Sequence, residues 1–255
     1  MPILIKSPAD VEKMRIAGRV VADVHRKMRA MVAPGVTTAE LDVAAAEIIR
    51  AAGGSPSFLG YHGYPGNICT SVNEEVIHGI PSGRVLRGGD VVSIDVGAYV
   101  NGFHGDAAAT YAVGKIDRAA QALIDAAERA FEAGFAAALA GNRVGDISAA
   151  IQRSIETAGF GVVRSYSGHG VGRRMHEDPS VPNFGDAGSG ARLQPGMTLA
   201  IEPMLTLGAA ETRELEDGWT VVTADGKPAA HYEHTVLITA GVPERLTQLV
   251  EEMVY

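Results

Sequence analysis

The sequence predicts an α+β protein made of two related halves that meet along a central sheet. Segments with helical periodicity alternate with β-rich segments along the 255 residues, and no low-complexity linker divides them. A shift of 106 residues aligns Gly35 with Gly141, and each copy consists of a long helix, a glycine-containing loop, a shorter helix and strands. We therefore expect one domain over residues 1–255, with halves at about 8–113 and 118–240 and a site between the halves.

Two helices begin the first half. Ser7-Pro8 is a typical helix start, with a serine N-cap and a proline at the first helical position, and an apolar stripe then continues to Pro34-Gly35. Thr37 and Glu40 have the spacing of a capping box for a second helix, which we expect to end at Gly53-Gly54.

The remaining elements follow the same order in the second half. The sequence predicts strands over 91–96 and from Asn101-Gly102 to about Val113, a helix over 118–140, a further helix that opens near Asp146, and strands over Thr198–Leu205, Thr220–Thr223 and Tyr232–Thr239.

The hairpin around Asn101-Gly102 carries the strongest chemical signal. Asn-Gly between β-rich runs favours a two-residue type I′ turn, and in that register Gly97 faces Asp106. Asp95 then lies on the same face as Asp106 and diagonal to it, at roughly 7–8 Å between Cα atoms. Two carboxylates that converge in an apolar setting repel each other unless a cation lies between them. The pair indicates a metal site, and two solvated acids on an outer face are the alternative.

Other acids and histidines occupy similar settings. Glu202 lies in an apolar strand, where a lone acid would be costly, and Glu233 lies at the mouth of another. His169 is flanked by glycines that let backbone and ligand approach closely, His176 comes seven residues later, and His78 directly precedes Gly79. Each residue alone would most simply be a structural polar group. Their joint occurrence is what points to a shared site.

Composition limits the classes of function. Acidic residues outnumber basic ones by 30 to 22, and the net charge of −8 gives no support to nucleic-acid binding. The single cysteine, Cys69, cannot form an internal disulfide, which fits a reducing compartment. We find neither a signal peptide nor an apolar run of membrane-spanning length. We expect a cytoplasmic protein with no membrane partner and no specific nucleic-acid partner.

Five blocks of sequence, taken in order, are similar to one known family. They are GYHGYPGNICTSVNEEVIHGIP (60–81), SIDVGAYVNGFHGDAAATY (93–111), SGHGVGRRMHEDP (167–179), IEPM (201–204) and WTVVTADGKPAAHYEHTV (219–236). The chain resembles the type I methionine aminopeptidases from about residue 5 to residue 249. This resemblance implies the pita-bread fold, an α/β (α+β) fold. Its helices lie outside a central, mainly antiparallel sheet, and a pseudo-two-fold axis relates its halves.

The resemblance also implies a dinuclear metal site. The matching ligands are Asp95, Asp106, His169, Glu202 and Glu233. Their four carboxylates would balance the charge of two divalent ions, which the oxygen-rich set leaves open among Co, Mn, Fe, Zn and Mg. Glu202 would in addition move a proton during catalysis.

The remaining implied site residues contact the substrate. His78 and His176 match two catalytic histidines that bind substrate rather than metal. The apolar pocket for the first side chain would be formed by Phe58, Tyr61, Tyr64, Cys69, Met175 and Trp219. Phe58 and Met175 differ from the cysteine and phenylalanine of well-known bacterial members, which alters the expected outline of the pocket.

The implied activity is removal of the initiator methionine from nascent polypeptides whose second residue is small. We expect a monomer that meets these N-termini at the ribosome. One alternative is a Xaa-Pro aminopeptidase, which uses the same five ligands on the same fold. A second alternative is a pita-bread binding protein without catalysis, although such a protein would be expected to have lost ligands.

Overall fold

A computed structural model describes residues 2–248. Met1 and residues 249–255, which belong to the expected domain, lie outside the described residues. The helices are α1 (Pro8–Met31), α2 (Thr38–Ala51), α3 (Arg118–Ala137) and α4 (Val144–Thr157), with a 3₁₀ helix at Tyr61–Gly63. The strands are β1 (Ser55–Pro56), β2 (Cys69–Val72), β3 (Glu75–Ile77), β4 (Val91–Val100), β5 (Phe103–Ala112), β6 (Gly161–Val162), β7 (Ser167–Gly170), β8 (Glu177–Pro182), β9 (Thr198–Ile201), β10 (Met204–Thr206), β11 (Thr212–Glu214), β12 (Val221–Thr223), β13 (Ala229–His231), β14 (His234–Leu237) and β15 (Glu244–Arg245).

The predicted helix starts are confirmed in the first half. The Ser7 hydroxyl accepts the backbone N–H of Asp10 at 3.2 Å, and α1 begins at the next residue, Pro8. The Thr37 hydroxyl accepts the N–H of Glu40 at 3.2 Å, while the Glu40 carboxylate accepts the N–H of Thr37 at 2.7 Å. This reciprocal pair is the capping box that the sequence predicts.

The fourth helix starts earlier than predicted. It begins at Val144 rather than near Asp146. Asp146 is the third residue of the helix, and its carboxylate accepts the backbone N–H of Arg143 at 2.7 Å. An acid at the third helical position stabilises the helix start. Asp146 therefore marks the first turn of the helix rather than its first residue.

Each half has its own apolar core beneath its strands. Helices α1 and α2 pack on β4 and β5 around residues such as Val21, Ile49 and Ile94, all fully buried. Helices α3 and α4 pack around Phe131 and Leu199 in the second half.

The described strands form four hydrogen-bonded groups, in the orders β1-β4-β2 with β5 on β4, β15-β14-β9-β7-β8, β13-β10-β6 and β11-β12-β3. Every pair in these groups is antiparallel.

The β4–β5 hairpin has the predicted register. Val100 pairs with Phe103, and Gly97 pairs with Asp106. Asn101 and Gly102 join the strands with positive φ angles of 53° and 84°, which is the requirement of a type I′ turn. The sequence therefore fixes which face of the hairpin carries its carboxylates.

One strand that was predicted as continuous is broken at an acidic residue, and a second begins later than predicted. The first prediction, Thr198–Leu205, was wrong at Glu202-Pro203, where β9 ends and β10 begins. Pro203 has no N–H to donate to a ladder, which explains this break. The second, Tyr232–Thr239, was wrong at its start, because Tyr232-Glu233 separates β13 from β14 and the strand begins at His234. Since β9 pairs with β14 and β10 with β13, the two breaks lie opposite each other.

Hydrogen bonds from β5 to the segment 231–235 join the two halves. The N–H of Glu233 donates to the carbonyl of Ala108 at 2.8 Å, and the N–H of Ala108 donates back at 3.3 Å. The Thr235 hydroxyl accepts the N–H of Asp106 at 3.0 Å and donates to its carbonyl at 2.9 Å. These bonds bring Asp106 of the first half alongside Glu233 of the second.

A buried ion pair anchors the connection between β7 and β8. The Lys6 ammonium lies 2.6 Å from the Glu177 carboxylate, and their side chains are only 5% and 1% exposed. Glu177 directly follows His176, and its carboxylate also accepts the backbone N–H of Arg174 at 3.2 Å. The chain segment before α1 therefore holds the loop that carries Met175 and His176.

None of the helices within residues 2–248 is long and apolar enough to cross a membrane.

Candidate active site

All the residues singled out from the sequence line one cavity. It is open to solvent, has a volume of about 140 Å³ and lies where the two halves meet. Its lining includes Asp95, Asp106, His169, Glu202, Glu233, His78, His176, Phe58, Tyr61, Tyr64, Cys69, Met175 and Trp219.

The acids and His169 converge at the floor of this cavity. Ligand atoms of Asp106, His169 and Glu233 all lie within 4.8 Å of one another. The His169 Nε2 atom lies 3.5 Å from Glu202 Oε1 and 3.7 Å from Asp106 Oδ2. Asp95 joins them from β4, on the face predicted from the hairpin register.

Burial opposes the charged forms of these four acids. It raises the pKa of Asp95 to about 7. It also raises the pKa of Asp106, Glu202 and Glu233 well above their ordinary values, and the neighbouring carboxylates raise these pKa values further. Among residues 2–248, the oxygens Asp95 Oδ1, Asp106 Oδ1 and Glu233 Oε1 are buried without a hydrogen-bond partner. Unpaired, buried oxygens in a cluster of acids fit a divalent cation.

The His169 ring is oriented for ligation. Its Nδ1 atom lies 2.9 Å from the carbonyl of Gly170, so Nδ1–H donates there and the Nε2 lone pair faces the carboxylates. Burial, with a smaller contribution from His176, lowers the pKa of His169 to about 3. The imidazole is therefore neutral, as a metal ligand must be.

The two other histidines lie beside the acid cluster. The His176 ring centroid is 4.1 Å from that of His169, and its Nδ1 atom is 2.7 Å from the Tyr61 hydroxyl. His78 has a φ of 61° and packs edge-on against Trp219, with 6.3 Å between ring centroids. Burial lowers the pKa of both histidines, that of His78 to about 4. Both rings are therefore neutral near pH 7 and can offer an N–H donor to the cavity.

An apolar wall stands next to the acids. Phe58, Tyr64, Cys69 and Met175 are buried in one cluster, against which Trp219 packs. Cys69 pairs with Asp95 in the sheet, so the wall begins directly beside a carboxylate. The Tyr64 hydroxyl donates to carbonyl groups of the backbone at 3.0 and 3.1 Å, which fixes its ring as part of the wall.

Sequence reasoning missed several residues here. Tyr166 and Ser167 line the cavity just ahead of His169. Their position next to a candidate ligand was the available signal. His231 lies behind the acids, with its Nε2 atom 3.8 Å from Glu202 Oε2 and 3.9 Å from Glu233 Oε2. Its position two residues before Glu233 was a weaker signal, because the break at Tyr232-Glu233 interrupts the simple alternation of a strand.

The sequence pattern of metallopeptidase family M24 matches residues 12–240. The chain belongs to this family. The family match and the Asp–His–Glu cluster together indicate that the protein binds divalent metal.

Two close relatives share the sequence over almost the whole chain. The methionine aminopeptidase of Clostridium perfringens is 49% identical over 245 residues, which cover 96% of this chain and 98% of that protein. The crystal structure of methionine aminopeptidase from Thermotoga maritima superposes with a TM-score of 0.96 at 46% identity, covering 97% of this chain and all of that one. The architecture is therefore the predicted pita-bread α/β fold.

A more distant structure shares the fold alone. The prolidase from Pyrococcus furiosus is 22% identical with a TM-score of 0.77, and the match covers 97% of this chain but 66% of the prolidase.

Metal binding should depend steeply on pH. A carboxyl must lose its proton to bind a metal ion, and Asp95 has a pKa of about 7 without one. Protons therefore compete with the ion as pH falls through about 7. We expect the affinity for Mn²⁺ to fall by at least about tenfold per pH unit between about pH 7 and pH 5. Titration of metal-free protein at several pH values measures this, and a constant affinity would show that the buried acids are already ionised.

Proposed function

We propose that this protein is a metal-dependent aminopeptidase that removes the N-terminal initiator methionine from nascent polypeptides whose second residue is small. The observation that carries the proposal is the apolar wall beside a buried cluster of acids and His169, within one cavity. Relatives of nearly equal length that are named methionine aminopeptidases support the same activity.

The acid cluster would hold the metal. Asp95, Asp106, His169, Glu202 and Glu233 supply four carboxylates and one imidazole, enough to neutralise two divalent ions drawn from Mn, Co, Fe, Zn and Mg. Such ions, when bound, lower the pKa of water and stabilise negative charge that develops on a carbonyl oxygen.

The protein's own groups would then handle protons and orient the peptide. Glu202 borders the cavity and is the carboxylate that would take a proton from the attacking water and pass it to the leaving amine. At His176, the Tyr61 hydroxyl donates to Nδ1, because a phenol is the better donor and imidazole nitrogen the better acceptor. The Nε2–H of His176 is then free to donate to the scissile carbonyl, and His78 would bind the next amide.

The pocket walls favour methionine at the first position. Phe58, Cys69, Met175 and Trp219 offer apolar surface, and the Tyr64 hydroxyl is already engaged with backbone carbonyls. A charged first side chain would lose its hydration here without gaining a partner. The pocket is therefore expected to suit a long, unbranched, apolar side chain.

The alternatives are less well supported. A Xaa-Pro peptidase shares the fold but only 22% of the sequence in the prolidase comparison. A binding protein without catalysis would have no need to gather the acids and histidines in one cavity.

We further propose a single catalytic domain with halves at about 8–113 and 118–240. We also propose that it acts as a cytoplasmic monomer on N-termini at the ribosome, consistent with its one free cysteine.

Substitution of single histidines should separate substrate contacts from metal ligands. We expect His176→Ala to lower kcat by about 10²–10³, the usual cost of removing one donor to a developing oxyanion, with metal content unchanged. His78→Ala should behave similarly. His169→Ala should lose metal as well as activity. Elemental analysis beside kcat for the three variants measures this. An empty site in His176→Ala with a filled site in His169→Ala would reverse the two assignments.

Specificity for the first residue tests the pocket. Met-Ala-Ser and its norleucine analogue should be cleaved at similar rates, because the two side chains have nearly the same shape and polarity. Lys-Ala-Ser should be rejected by several kcal/mol, roughly the cost of burying an unpaired polar group. Release of the first amino acid, followed by chromatography, gives kcat/KM for each peptide. Efficient cleavage of Lys-Ala-Ser would contradict the proposed function.

A further inference from the structure

His231 is a buried histidine whose ring has no hydrogen-bond partner. Its exposed fraction is 2%, and among residues 2–248 neither Nδ1 nor Nε2 is paired. Its backbone is held firmly, because the Thr110 hydroxyl accepts its N–H and donates to its carbonyl, both at 2.9 Å. Buried polar atoms in native proteins are nearly always paired. A fixed, buried and unpaired imidazole therefore points to a role in the site that it faces.

The ring faces the two acids at the strand breaks. Its Nε2 atom lies 3.8 Å from Glu202 Oε2 and 3.9 Å from Glu233 Oε2, just beyond hydrogen-bonding distance of both. Within residues 2–248, the lining of the cavity includes both acids but not His231. The imidazole thus approaches the carboxylates from behind, on the side away from the cavity.

We infer that His231 is a positioning residue whose Nε2–H donates to the Glu202 and Glu233 carboxylates and holds them for divalent metal. The inference rests on the metal site of the proposed function. Carboxylates that bind metal are commonly held by hydrogen bonds to their other oxygens, and the loss of such a partner weakens metal binding by about 10–100-fold. His231 supplies this support to one acid from each of the two opposed breaks.

Direct ligation by His231 is the competing role, and the ring's surroundings disfavour it. A ligating Nε2 would require the proton on Nδ1, which has no acceptor among residues 2–248. Buried N–H groups without an acceptor are rarer than buried acceptors without a donor. Donation from Nε2 leaves only the Nδ1 lone pair unpaired.

Metal affinity without substrate tests the inference. The variants are His231→Leu and His231→Met, which lack a donor, and His231→Gln, which keeps one. The control is His25→Leu, which removes a partly buried histidine whose nitrogens are paired with Tyr111 and Ala107. Mn²⁺ alone is titrated against a competing chelator, and the number of bound ions is counted. We expect 10–100-fold weaker binding in His231→Leu and His231→Met, an unchanged number of ions, and wild-type affinity within about threefold in His231→Gln and His25→Leu.

Other outcomes overturn the inference. Unchanged affinity in both apolar variants would make His231 a packing residue, and loss of one ion in all three His231 variants would make it a ligand. If the variants fail to fold, a measurement on the wild-type protein tests the inference instead. In ¹⁵N NMR of the Zn²⁺-loaded protein, Nε2 of His231 should carry the proton. An unprotonated Nε2 would contradict the inference. If the wild-type protein binds no divalent metal, the proposed function fails instead.

Discussion

The burial of four carboxylates around one histidine is the constraint on which the rest of this structure depends. Charged acids at such short range repel one another, and in a buried site water does little to weaken that repulsion. Without a cation the cluster holds protons instead, which is why the pKa of each acid is raised. A site that is costly when empty is poised to bind divalent metal, since the ions remove the repulsion and satisfy the unpaired oxygens.

The architecture around the cluster keeps these acids in place despite their repulsion. Asp95 and Asp106 are held by the register of a hairpin with two ten-residue strands, while Glu202 and Glu233 occupy opposed breaks in two strand pairs. The bonds from Asp106 to Thr235 and from Ala108 to Glu233 then join the hairpin to those breaks. The irregular backbone at the breaks lets Glu202 and Glu233 turn into the cavity while the strands on either side remain paired.

Features that depend on neighbouring residues in the chain could be predicted from the sequence. The caps of α1 and α2 and the face shared by Asp95 and Asp106 follow from local rules, and the structure has them as expected. Pro203 was a local signal for the break at Glu202, but the break at Glu233 could not be predicted, because an apolar run does not show where a strand changes its partner. His231 was missed for a related reason: its importance lies in its distance from Glu202, which is remote in the sequence.

Dependence of methionine release on divalent metal tests the account most directly. The protein is stripped with a strong chelator, its metal content is verified, and hydrolysis of Met-Ala-Ser is followed beside Ala-Pro-Ser before and after Mn²⁺ or Co²⁺ is added back. The account predicts no turnover without metal, and release of methionine from Met-Ala-Ser but little release of alanine from Ala-Pro-Ser once metal is restored. Full turnover of Met-Ala-Ser in the verified metal-free sample, or a preference for Ala-Pro-Ser, would contradict it.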